Sequence, residues 1–116
     1  MSYELPRTTQ TILIGAAHII TTRGWCRGTL LDEHGAVCLL GAIFESATGR
    51  SAATFYGAHE QCDALTHAAW DVIEDLINAR FREAGEPRLT IPGWNDQPSR
   101  TVEDVLEILD DALAIA

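Results

Sequence analysis

Four stretches of this chain repeat apolar residues at helical spacing, and turn-forming residues separate them. In the first, about residues 8–23, Ile12, Leu13, Ala16, Ala17, Ile19 and Ile20 recur on one side. Thr8 or Thr9 is placed to cap its N-terminus. Gly24 stands where a left-handed residue closes a helix, and Trp25 follows as the apolar residue that folds back on the last turn. The second, "AVCLLGAIFESATG", predicts a short helix over about residues 37–48 that Gly49 ends. Its small residues Gly41, Ala42 and Ala47 admit the close approach of a neighbouring helix. The third is long, about residues 59–84. Leu65, Ala69, Val72, Ile73 and Leu76 form its apolar stripe with Cys62 beside them, and Glu60, Asp63, His67, Asp71, Glu74 and Asn78 line the other side. Gly85 and Pro87 stop it. The fourth, about residues 102–114, buries Val102, Val105, Leu106, Leu109, Ala112 and Leu113.

The connections are less regular. "RGTLLDEHGAV" suits a short hairpin or an irregular turn. Residues 50–58 read as a helical turn or a loop. Residues 86–100 carry three prolines and Gly93, which predicts an extended, turning segment in which "RLTI" suits a short strand. Thr101 followed by Asp104 is a capping-box variant that starts the last helix, and Glu103 and Asp104 face the positive end of its dipole. There is no internal repeat or low-complexity tract. The pattern predicts one domain over residues 1–116, a mainly α, compact bundle of about four helices with a small extended or hairpin element between the first two. The C-terminal helix is expected beside the first and the long one.

Composition narrows the class. A chain of 116 residues is long enough to bury roughly two-thirds of its unfolded surface without covalent staples. No apolar run reaches the roughly 18 residues of a membrane span, and "MSYELPRTTQ" lacks the basic and apolar regions of a secretion signal. Three cysteines without dense spacing argue against a disulfide scaffold, so a reducing cytoplasm is expected. All eight basic residues are arginine, which reads as high-GC codon bias. Acids and bases balance over residues 1–58, so the net charge of −9 falls in residues 59–116. That field repels nucleic-acid phosphate and anionic membrane. It either keeps the protein soluble or forms an acidic surface for a basic protein partner or in imitation of DNA.

Candidate chemistry is sparse. Cys26, His34 and Cys38 lie close in sequence but lack the tight spacings of a structural zinc site, and Cys38 reads as a small buried hydrophobe. His59, Asp63 and His67 recur every fourth residue along the long helix, two imidazoles and a carboxylate that suit a divalent ion or a plain solvated face. Arg27 next to Cys26 has the charge to lower a thiol pKa if the side chains meet. No nucleophile elbow, phosphate loop or dinucleotide fingerprint occurs. Trp94-Asn95-Asp96 is left over once the helix start is explained. Its plain reading is a turn held by side-chain to backbone bonds, with Trp94 as a core anchor whose indole N–H finds an acceptor. Its functional reading is a binding or catalytic site.

Three segments resemble a family of small uncharacterised proteins, a domain of unknown function of high-GC Gram-positive bacteria and their phages. They are the first helix running into "RGWCRG", the segment "AVCLLGAIFESA", and the ending "WNDQPSRTVEDVLEILDDAL", which is the most specific. The resemblance implies a bacterial or phage cytoplasmic origin and supplies no reaction or cofactor. The leading expectation is a non-enzymatic, acidic interaction module without a cofactor, phage-encoded and acting on a host protein that is basic. The rival is a small-ligand or metal-dependent enzyme. In that reading Asp96 is base or ligand, Asn95 a positioning amide and Arg100 an anion clamp, with Trp25 and Arg27 beside them.

Overall fold

A computed structural model describes residues 8–55 and 61–116. Four longer helices build it, as the periodicity predicts: α1 (Thr9–Arg23), α2 (Leu39–Thr48), α3 (Ala64–Phe81) and, after the five-residue α4 (Ile91–Asn95), α5 (Val102–Ile115). A 3-10 turn at Ala52–Thr54 follows α2. Helix α5 packs against α1 and α3, as expected, and α1 also lies along α2.

Each boundary has a local cause. Thr8 is the N-cap of α1 and forms a reciprocal capping box with Thr11. The helix buries Ile12, Leu13, Ala16 and Ile20. Gly24 has φ 96° and ψ 167°, so it does not close the helix in the left-handed conformation expected of it. It sends the chain directly into extended backbone, and Trp25 pairs with Val37 instead of folding back. Helix α2 starts two residues later than the periodicity suggests. Cys38 is extended and serves as the N-cap, its sulfur accepting from the Gly41 amide at 3.3 Å. Nearly every side of α2 is buried, including Leu39, Leu40, Ile43 and Phe44, and Gly49 ends it with φ 73°.

Between α1 and α2 the chain forms an irregular turn and no hairpin. Val37 bridges Trp25 in parallel and Leu31 in antiparallel sense. Asp32 accepts the amides of His34 and Ala36 through one carboxylate oxygen. Gly41 is close to this turn, not to a helix: a methyl group there would sit 2.5 Å from the Leu30 carbonyl oxygen and 3.2 Å from Ala52 Cβ. That carbonyl is itself held by the Cys38 amide. Gly41→Ala is therefore expected to cost about 1–3 kcal/mol despite the better helix propensity of alanine. Urea denaturation checks this. The helix-to-helix approach that does need glycine is at Gly15, where Ser46 Oγ comes in to donate to the Ile12 carbonyl at 2.7 Å.

Helix α3 spans less than the 59–84 expected. Its N-cap is Asp63, which accepts from the Thr66 amide and hydroxyl, so this residue is a cap and not part of a polar stripe. It stops at Phe81, before Gly85 and Pro87, because the chain turns back along the helix. Asn78 holds it there: its side chain accepts from the Leu89 amide at 2.8 Å and donates to the Leu89 carbonyl at 2.9 Å. Ile77 joins Ala69 and Ile73 on the buried face, while Leu65, Val72 and Leu76 flank it.

The expected "RLTI" strand does not form. Asn78 takes both backbone groups of Leu89, and Thr90 caps α4 by accepting from the Gly93 amide. Pro92 sits in the first turn of α4, where its missing N–H is no loss. Helix α5 starts at the predicted capping box, Thr101 and Asp104 bonding reciprocally at 3.0 and 3.2 Å. Its buried face is Val105, Ile108, Leu109 and Ala112; Val102 and Leu106 pack at the core's edge.

Candidate functional site

Helix α4 and the segment after it carry the Trp-Asn-Asp triplet, and each of the three side chains has a different role. Trp94 is fully buried and is the largest such side chain in the core. Its ring lies 5.4 Å from that of Phe81, and the Arg100 guanidinium stacks over it at 4.0 Å. The indole N–H has no acceptor among the described residues, contrary to the sequence expectation.

Asn95 is also fully buried. Its carbonyl oxygen accepts from Trp25 Nε1 at 2.7 Å and from the Leu39 amide at 3.0 Å. Its amide nitrogen donates to the Cys26 carbonyl at 3.2 Å and to Asp96 Oδ1 at 2.9 Å. Both acceptor positions and both donor hydrogens are thus engaged. The bonds to residues 25–39 reach across the fold; they are not the local turn bonds the sequence suggests. Leu39 is the first residue of α2, so Asn95 supplies a tertiary cap for one of that helix's unpaired amides.

Asp96 extends the seam. Its Oδ1 also accepts from the Gly28 amide at 2.9 Å. Arg27 closes it from outside, donating to the Gln97 carbonyl at 3.1 Å and the Pro98 carbonyl at 2.7 Å, with its guanidinium 5.3 Å from the Trp25 ring centre. Arg100 holds the same segment from inside. It donates to the Trp94 carbonyl at 3.1 Å and to Gln97 Oε1 at 2.6 Å, and lies 3.7 Å from Asp104. Burial pushes its pKa below the usual arginine value, and Asp104 opposes that. All six residues singled out from the sequence, Trp25, Arg27, Trp94, Asn95, Asp96 and Arg100, therefore meet in one seam.

The thiol reading of Cys26 changes. Arg27 points to backbone carbonyls, not to the sulfur. Burial, then coupling to the neighbouring Cys38 thiol and the negative charge of Asp32 and Asp96, push the Cys26 pKa from 9.0 up to about 11. The thiol is expected to be protonated at neutral pH, with ~100-fold less thiolate than an unperturbed cysteine. Peptide-resolved mass spectrometry of iodoacetamide labelling checks this: labelling of Cys26 should stay slow at pH 7.5 and keep accelerating up to about pH 11. A plateau about one pH unit above 9.0, as for an unperturbed thiol, contradicts it.

Of the metal candidates, His59 lies outside the described residues, Asp63 caps α3, and the His67 ring stacks nearly parallel to Trp70. His34 is exposed beside Glu33, and Cys38 is buried. Among the described residues no group of three or more His, Cys, Asp or Glu is placed to hold a metal ion. No helix there is long and apolar enough to cross a membrane.

Two hollows adjoin α4 that the sequence did not reveal. One, of about 480 Å³, lies between α3 and the start of α4 and is lined by His67, Trp70, Asp71, Glu74, Ile91 and Pro92 among others. The other, of about 290 Å³, is lined by Gly28, Leu30, Cys38 and Asp96. They share Leu40, Phe55 and Pro92. The signal for the first was Trp70 four residues before Glu74 on α3, in a helix with a complete apolar face elsewhere. A third hollow, about 370 Å³, runs between α1 and α5.

A family model settles the resemblance, matching residues 4–115. The chain belongs to the family of unknown function DUF6197. Neither the curated proteins nor the solved structures compared with it give a match. Membership in DUF6197 covers the seam and all three hollows, since every residue named for them falls within the matched span.

Proposed function

We propose that this protein is a non-enzymatic interaction module that docks a basic amphipathic helix of a partner protein between α1 and α5. It would work in the bacterial cytoplasm, on a host protein where a phage carries the gene. The observation that carries this reading is the outer face of α5. Glu103, Glu107 and Asp110 recur at helical spacing, are exposed, and have no ion-pair partner among the described residues. Asp110 lines the hollow formed by Leu13, Ile14, Ala17, Leu106, Leu109 and Leu113, and Glu103 and Glu107 share its side of α5 by helical spacing. Ile14 is 53% exposed there. An apolar groove beside a row of carboxylates complements a helix with one apolar and one basic face.

The test uses a designed lysine-leucine helical peptide and its glutamate-leucine counterpart. The basic peptide should bind at micromolar concentration, shift amide resonances of α1 and α5, and weaken roughly tenfold or more between 0.05 and 0.5 M salt, as a charge-steered contact does. The triple change Glu103→Gln, Glu107→Gln, Asp110→Asn should lose most of that binding. Equal binding of both peptides, or shifts spread over the whole surface, would refute the proposal.

The rival reading, a ligand- or metal-dependent enzyme at Trp94-Asn95-Asp96, has one supporting feature: Asp96 uses Oδ1 for its bonds to Gly28 and Asn95 and lines a hollow. Turnover of a defined substrate that Asp96→Asn abolishes without loss of fold would establish it.

A further inference from the structure

Helix α3 places His67, Trp70, Asp71 and Glu74 at i, i+3, i+4 and i+7, so they share one side of the helix. That side faces the start of α4 and forms a wall of the 480 Å³ hollow. Trp70 is half-buried, with His67 stacked against it at 6.2 Å and 14°, and the Phe55 ring 6.0 Å away. An aromatic side chain that lines a hollow beside carboxylates attracts organic cations, through the ring quadrupole and through charge together. The charge is not cancelled locally. Asp71 has no ion-pair partner among the described residues. Glu74 shares Arg88 with Asp75, which leaves that trio one negative charge in excess.

The hollow does not end there. It adjoins the 290 Å³ hollow through Leu40, Phe55 and Pro92, and Asp96 is part of that second lining. Taken together as one groove, the two hollows carry Asp71 and Glu74 in one part and Asp96 in the other, and the residues they share in the middle are apolar or aromatic. A compact metal ion fits it poorly, because the middle offers no oxygen ligands. A single cation with an apolar tail satisfies only one end. An extended aliphatic chain with an ammonium group at each end satisfies both, while its methylenes cover Leu40, Phe55 and Pro92.

We propose that this groove binds a linear aliphatic polyamine. One ammonium lies over Trp70 beside Asp71 and Glu74, and the other lies at Asp96. The site is separate from the α1–α5 surface, so either assignment stands if the other fails.

Isothermal titration calorimetry with 1,8-diaminooctane and spermidine tests it, with octylamine and Mg²⁺ as controls. One molecule is expected per chain. Octylamine, which has the same chain and one charge, should bind at least ~10-fold more weakly, since it loses one charged contact. Asp71→Asn and Asp96→Asn should each weaken the diamine by a similar factor and leave octylamine less affected. Asp71 is exposed and its side chain has no bonding partner among the described residues, so its replacement leaves the fold intact. Trp70→Ala should abolish the site; the thermal transition of that variant shows whether it remains folded. Four results would overturn the proposal: octylamine as tight as the diamine, binding indifferent to Asp71→Asn, displacement by an equal charge of Mg²⁺, or an extended lysine-containing peptide preferred over every free polyamine. The last would identify a protein ligand in the same groove.

Discussion

Asn95→Leu is expected to lower stability by about 3 kcal/mol or more, a fall of roughly 10–15 °C in the thermal midpoint of a chain this size. The leucine side chain is close in volume, so the loss is not one of packing. It comes from the partners left behind. Trp25 Nε1 and the buried Leu39 amide lose their only acceptor among the described residues, and the Cys26 carbonyl and Asp96 Oδ1 lose a donor. Each buried group left unpaired costs about 1–3 kcal/mol. Asn95→Asp separates the two halves of this account. The introduced carboxylate keeps an acceptor for Trp25 and Leu39 but turns its other oxygen toward the Cys26 carbonyl and Asp96, two acceptors. The carboxyl then holds its proton, with a folded-state pKa raised above the ordinary ~3.9. A raised folded pKa means that the stabilising form is complete below the unfolded value and is lost as pH rises. The stability deficit against the parent protein should therefore be small near pH 4–5 and grow toward pH 7.5. Urea midpoints at the two pH values measure it; a deficit that does not change with pH refutes the role given to the amide donor.

Trp94→Ala is expected to cost about 3–5 kcal/mol, as for large aromatic truncations in a packed core. The indole is fully buried and is the surface on which Arg100 stacks at 4.0 Å. Without it a guanidinium that is only 8% exposed faces a cavity. The unpaired indole N–H gives a second handle. Trp94→Phe removes that burdened group along with part of the ring, so its net cost should be well below that of the alanine variant, about 1–2 kcal/mol. If phenylalanine costs as much as alanine, the N–H has an acceptor in solution and the packing account is wrong.

Both experiments bear on function. The Trp-Asn-Asp triplet was the most specific part of the family resemblance, and the seam gives it a structural reason to be specific. Loss of partner binding in an Asn95 or Trp94 variant would thus report unfolding before it reported a lost contact. Asp71, Glu107 and Asp110 are better first targets, because each is outside the core.

The elements legible in the sequence were those fixed within a few residues. Thr101 and Asp104 bond to each other, and their spacing alone announces the start of α5. Gly49 ends α2 in the conformation glycine tolerates best. The stripes of α1 and α5 gave their inward faces because 3.6 residues per turn leaves no other arrangement. Helix α4 was missed for a reason of scale. Five residues are too few for a period, and Pro92 reads as a breaker unless Thr90 is recognised as the cap before it. The length of α3 was overestimated because its polar residues continue the pattern past Phe81, while the stop comes from Asn78 gripping Leu89.

By itself the sequence determined the helical class, the four main helices, the caps that start α1 and α5, and the acidity of the second half. These depend on near neighbours, on counts, or on a short period, all of which a linear chain displays. Only the tertiary structure decided that Asn95 serves residues 70 and 56 positions away in the chain. It also decided that Arg27 and Arg100 hold one segment from opposite sides, and that Trp70 and Asp96 line two hollows that share Leu40, Phe55 and Pro92. Such contacts depend on how helices pack, and side chains that meet only after packing leave no spacing in the sequence to read.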